Sequence, residues 1–188
     1  KNIHIKDSEI EGYSYTGLIS SYSLGGRFNN ISFDNVKYHF DGSYFGFVSG
    51  GDSIGDTISD VTVVNSTALP NENFHTNYGG LISARAAYST FKNIIVRNSQ
   101  IKDSPNIILG FIGMVLGYSS TMNQFDSLSV EVDIDLQHNS GYIGGVSGWS
   151  WLFSNVENSI VKGSIDGGFH KIGGFHGGAR EVFIKNIY

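Results

Sequence analysis

The chain contains no cysteine and only two prolines, Pro70 and Pro105. The missing thiols exclude disulfide stapling and thiolate metal centres, but they leave the compartment open. Charge is scarce too: Asp, Glu, Lys and Arg make up 15% of 188 residues, with a net charge of −5. The 12 Lys and Arg are scattered, which excludes the basic footprint of a nucleic-acid partner. The longest apolar stretch is "NIILGFIGMVLGY", 106–118. It falls short of the ~20 residues that a spanning helix needs, so a buried pair of strands is expected there and no membrane span. The opening "KNIHIKDSEI" lacks the apolar run of a signal peptide.

Turn-forming residues are abundant. The chain has 25 glycines and many Asn, Ser and Tyr, a composition that favours β structure over helix. One phrase recurs: "TGLISS" from Thr16, "FGFVSGG" from Phe45, "YGGLISA" from Tyr78 and "IGGVSGW" from Ile143. Before each copy comes Asn or Asp and then alternating aliphatics. The anchors fall at Asn2, Asn30, Asp60, Asn93, Ser127, Asn158 and Asn186, at intervals of 28, 30, 33, 34, 31 and 28 residues. A period of roughly thirty belongs to repeat architectures.

After the anchors, Ile31 and Phe33, Val61 and Val63, Ile94 and Val96, and Val130 and Val132 recur two residues apart, the period of a strand. Units of two or three short strands cannot bury their own aliphatics and must stack to form a core. The expectation is an all-β chain: a parallel β-solenoid, or β-helix, of about six coils of roughly thirty residues, forming one domain over 1–188. Glycines are expected at its corners, and insertion loops at 66–78 and 135–142. Both ends carry the strand signal, "KNIHIKDSEI" and "KNIY". They predict a piece of a longer chain whose uncapped coils can self-associate.

The glycine phrases "GLIS", "GFVS", "GGLIS" and "GGVSG" resemble GLUG repeats, the glycine-hydrophobic-hydrophobic-glycine motif of bacterial surface adhesins and of non-catalytic regions of immunoglobulin A-cleaving metallopeptidases. Here Ser often stands where that family has Gly. The resemblance implies an extracellular, cell-surface or secreted scaffold or adhesin, and it brings no catalytic residues.

Two stretches carry candidate chemistry. In "SVEVDIDL", Glu131, Asp133 and Asp135 share one side of a strand, neighbours roughly 6.6–7 Å apart. They read as a solvated ladder neutralised by Arg97 and Lys162 of the adjacent coils. The alternatives are a calcium site and the acid pair of a polysaccharide-cleaving enzyme. In "WSWLF", Trp149, Trp151 and Phe153 fall on one side of an extended segment. They either fill the core, the preferred reading, or form an exposed ligand platform with Tyr22, Arg85 and Tyr118, which occupy similar places after their own glycine phrases. "GGDSIGD", 50–56, reads as a corner loop and not a calcium nonapeptide. Of six histidines only His170 and His176 are close enough to consider as metal ligands.

No cofactor is called for, calcium aside. The expected function is a non-catalytic adhesive or stalk module that binds a glycan or a host surface protein, with self-association through the solenoid ends. The alternatives are a β-helix polysaccharide lyase or hydrolase, and a filament subunit.

Overall fold

A computed structural model describes residues 2–70, 75–102, 108–136, 141–167 and 171–188. The protein is all-β: the described residues form 22 strands and no helix, and every pairing between strands is parallel. Three sheets stack into a solenoid of about five turns, two of them six strands deep, close to the six coils read from the repeat. Here the sheets are called A, B and C in the order that each coil visits them. Sheet A holds the alternating segments, among them Arg27–Asp41, Thr90–Arg97, Ser129–Leu136 and Ser154–Gly167. Sheet B holds short strands such as Tyr44–Gly46, Ile108–Gly113 and Tyr142–Gly144, and sheet C includes Ser83–Ala87, Leu116–Ser119 and Ser147–Ser150.

Inward aliphatics of sheet A stack coil on coil. Ile5, Phe33, Val63, Val96 and Val130 occupy one register column, and the last four are at most 1% exposed. Each buried side chain of this size contributes about 1.5–3 kcal/mol. The fifth coil differs from the sequence alignment. Leu128, also buried, follows the Ser127 anchor, so Val130 lies opposite Val96 and Val132 opposite Gly163 of the next coil.

The anchors have a backbone cause. Asn30, Asp60, Asn93, Ser127, Asn158 and Asn186 are all left-handed, with φ between 49° and 58°. A second set, Asp7, Asn35, Asn65 and Asn98, lies between 46° and 54°. Each such residue bends the strand and resets which face the following side chains take. Asn and Asp tolerate this region because their short polar side chains bond locally. Here they bond to the preceding coil as well: Asn93 Nδ2 donates to Asp60 at 2.9 Å, Asn35 Nδ2 to Asp7 at 2.8 Å, and Asn186 Nδ2 to Asn158 at 3.0 Å.

The glycine phrase is the arch between sheets B and C, so its place at a corner is as expected, but its cause is not backbone freedom. Of the glycines described, positive φ is found at Gly25, Gly55 and Gly163, and none of these belongs to the phrase. Its glycines are needed for space. The two residues at the arch tip are buried, as in Phe47–Val48, Leu81–Ile82 and Met114–Val115, and the chain doubles back so tightly that no side chain fits beneath. A methyl on Gly113 would sit 2.5 Å from the carbonyl oxygens of both Leu116 and Val146.

Two expected loops are instead partly strand. Thr67–Pro70 and His75–Gly80 pair into sheets A and B, and Asp135 and Leu136 complete a sheet A strand; 71–74 and 137–140 lie outside the described residues. "GGDSIGD" is likewise mostly strand, Ser49–Ile54, with the bend at Gly55. The apolar 108–118 stretch forms two strands joined by an arch, and no described helix is long and apolar enough to cross a membrane.

The steric reading of the arch is testable. Gly113→Ala is expected to cost about 1–3 kcal/mol through overpacking. Gly174→Ala, where a methyl meets nothing within 4 Å, should be nearly neutral. Equilibrium urea unfolding of the two variants checks this, and equal costs would remove the explanation.

Candidate functional site

The arch brings more than backbone together. Beyond its tip, the second glycine of the phrase lies on the sheet B strand of the preceding coil: Gly117 against Gly79, Gly148 against Phe111 and Ile112, and Gly177 against Ile143. With no Cβ in between, sheets B and C meet in a crease along the rod. The residues flanking the crease on the outer faces are forced into contact.

On the sheet B side, the positions two residues before Gly17, Gly46, Gly80, Gly113, Gly144 and Gly173 are Tyr15, Tyr44, Tyr78, Phe111, Tyr142 and Lys171 in successive coils. Five of these are aromatic and form a ladder. Centroid separations are 4.4, 5.0, 5.4 and 5.1 Å from Tyr15 to Tyr142; Phe111 lies within 11° of both Tyr78 and Tyr142, and Tyr78 is tilted 41° from Tyr44. Lys171 ends the ladder, its Nζ 4.8 Å from the Tyr142 ring centre and donating to the Tyr142 hydroxyl at 3.0 Å.

On the sheet C side, Asp52, Arg85, Tyr118, Trp149 and Gly178 form one register column. Tyr118 stands edge-to-face with Tyr78 and Phe111, and Trp149 with Phe111 and Tyr142. Gly178 leaves room for the indole, since a methyl there would strike Trp149 and Tyr142. Tyr78, Phe111, Tyr118, Tyr142, Trp149 and Trp151 line an open groove of about 300 Å³. Cations stand over three of its rings: Arg85 over Tyr118, Lys171 over Tyr142 and Arg180 over Trp151. Burial raises the Tyr118 and Tyr44 hydroxyls above their ordinary value, so both remain neutral donors. The Trp149 Nε1–H is covered and has no hydrogen-bond partner, a cost of about 1–3 kcal/mol.

The structure unites part of the candidate ligand platform. Arg85, Tyr118 and Trp149 share the column and Trp151 joins the groove. Tyr22 is exposed two coils before Arg85, next to the strand pairing of Ser23 with Ser53. Phe153 does not belong. Leu152 and Phe153 are both left-handed, which ends the period-two stripe and turns Phe153 into a separate hollow with Phe183 and Ile184. The preferred core reading is corrected: Trp151 is 37% and Phe153 48% exposed, and Trp149 is half-buried on an outer face. The sheet B ladder was missed, although "YTG", "YFG", "YGG", "FIG" and "YIG" each place an aromatic two residues before the last glycine quoted.

The acids lie elsewhere, on sheet A. Glu131 is opposite Lys162 in register, with Nζ–Oε1 at 3.3 Å, and it accepts the Asn98 backbone N–H at 3.0 Å. That backbone hydrogen bond, then Lys162, holds its carboxyl below the usual range. Asp133 accepts from the Gln100 amide, and Asp135 is exposed, in register with Lys102 and Asp166. No group of three metal-ligating side chains occurs among the described residues. His170 lies outside them, and His176 points its Nδ1 at Ser150 Oγ, 3.0 Å away.

Two measurements follow. The triple variant E131Q/D133N/D135N is expected to leave the unfolding midpoint nearly unchanged, because exposed ladders contribute little. A calcium-dependent rise in the wild-type midpoint that disappears in the variant would instead identify a metal site. Burial lowers His176 from the ordinary 6.5 to about 4, so the unfolded chain binds more protons between those values. Stability is therefore full above about pH 6.5 and falls as the pH drops from there towards 4. Thermal melts of His176→Gln should show a flatter dependence across that window than wild type.

Set against known proteins, the chain matches no family model, no curated protein and no solved structure.

Proposed function

We propose that the chain is a non-catalytic, extracellular adhesive or stalk module of a bacterial surface or secreted protein, and that it holds a glycan along the aromatic groove. The observation that carries this reading is the orientation of Tyr118 and Trp149. The sheet B rings stack on one another and spend their faces on their neighbours. Tyr118 and Trp149 stand at 65–85° to that ladder, so their planes run along the rod, the orientation that meets an extended sugar chain laid in the groove. Concave sites with aromatic walls and a few polar groups are the usual form of ligand pockets. Repetition along a rigid rod turns weak contacts into avidity.

The cleaving alternative has less support. Glu131 already has a cation and an amide as partners, and its hollow with Arg97, Ile160 and Lys162 shares no residue with the aromatic groove. Cleavage would need acids and sugar platform in one cleft.

A glycan array, run beside a reducing-sugar release assay, tests the reading. Trp149→Phe removes the unpartnered N–H and is expected to keep the unfolding midpoint while weakening capture of the array hit roughly tenfold. Absence of any glycan capture, or release of sugar ends, would overturn the proposal.

A further inference from the structure

We infer that the groove selects an acidic glycan, one whose sugars carry carboxylates, and that it reads the acid at the Lys171 and Arg180 end. This rests on the groove being a glycan site. The protein as a whole is acidic, at −5, yet the charges that stand over the groove rings are three cations. They are not equivalent. Arg85 is neutralised by Asp52 in its own register column, Nε–Oδ1 3.3 Å. At the other end Arg180 has a looser pair with Glu181, 3.8 Å. The described contacts of the Lys171 ammonium are with the ring and hydroxyl of Tyr142.

The hydrogen-bonding polarity points the same way. Lys171 Nζ donates to the Tyr142 oxygen, which leaves the phenol proton to be donated outward. Lys171 and Arg180 are donors only. This end of the groove therefore offers N–H and O–H groups with one carboxylate, Glu181, beside them, and a ligand must supply acceptors. A neutral sugar hydroxyl can do so, but a carboxylate forms the stronger charge-assisted bonds. Trp149 and Trp151 supply the apolar wall against which a sugar ring lies while its acid reaches the cations.

The test compares an oligogalacturonate with the same oligosaccharide after its carboxyl groups have been reduced, by calorimetry at low salt with a chelator present. The acidic chain is expected to bind at least tenfold more tightly. Its advantage should shrink as salt is raised, and in K171Q/R180Q it should fall to within about twofold. Melting midpoints of that variant, whose substituted side chains are exposed, verify its fold. Equal binding of both chains to wild type would overturn this inference and leave the glycan reading standing. So would an acid preference that needs calcium, or one unchanged in the double variant. Failure of both chains to bind would remove it together with that reading.

Discussion

The structure depends on one contact: the backbone of each sheet C strand lying directly on the sheet B strand of the coil before it. Gly117, Gly148 and Gly177 occupy the points of closest approach, where the nearest atoms belong to the facing backbone. A Cβ at any of these points would push the two sheets apart, open the crease and break the register of the coils on either side. The aromatic groove exists because the sheets are held this close. Its walls are simply the residues next to the contact.

Around that contact, polar side chains repeat a single solution to the problem of stacked corners. At the turn from sheet C to sheet A, the Gly26, Asp56 and Ser89 amides donate to the Asp56, Ser89 and Asn123 side chains of the following coils. Within sheet A, the amides of Val36 and Ser66 donate to Ser66 and Ser99. A buried amide without a partner costs about 1–3 kcal/mol, so these columns of small polar residues are as necessary as the aliphatic stacks. The left-handed Asn and Asp positions belong to the same economy: at Asn35, Asn93 and Asn186 the strain of the bend is offset by a side-chain bond to the neighbouring coil.

The groove combines rigidity with an unusual amount of half-buried aromatic surface. Ladder rings that stack on one another are fixed in orientation before any ligand arrives, and pre-organisation of this kind lowers the entropic cost of binding. The covered, unpartnered donor of Trp149 fits this view: it is tolerated where the indole is held for its face.

Much of this molecule was legible in the chain itself. The Asn, Asp or Ser anchors and the alternation of Ile31 with Phe33 or Val61 with Val63 specify the coil, because both the left-handed bend and the two-residue period are local properties of the backbone. The pairing of Glu131 with Lys162 and the column of Arg85, Tyr118 and Trp149 also followed from counting along the repeat. Other features were not local. Whether Trp149 faces core or solvent, why Phe153 leaves the stripe after two left-handed residues, and that Tyr78, Phe111 and Tyr142 stand opposite Tyr118 and Trp149 depended on the angle between sheets B and C. That angle is set by backbone packing across adjacent coils, between residues some thirty positions apart, and a period along the sequence carries no information about it.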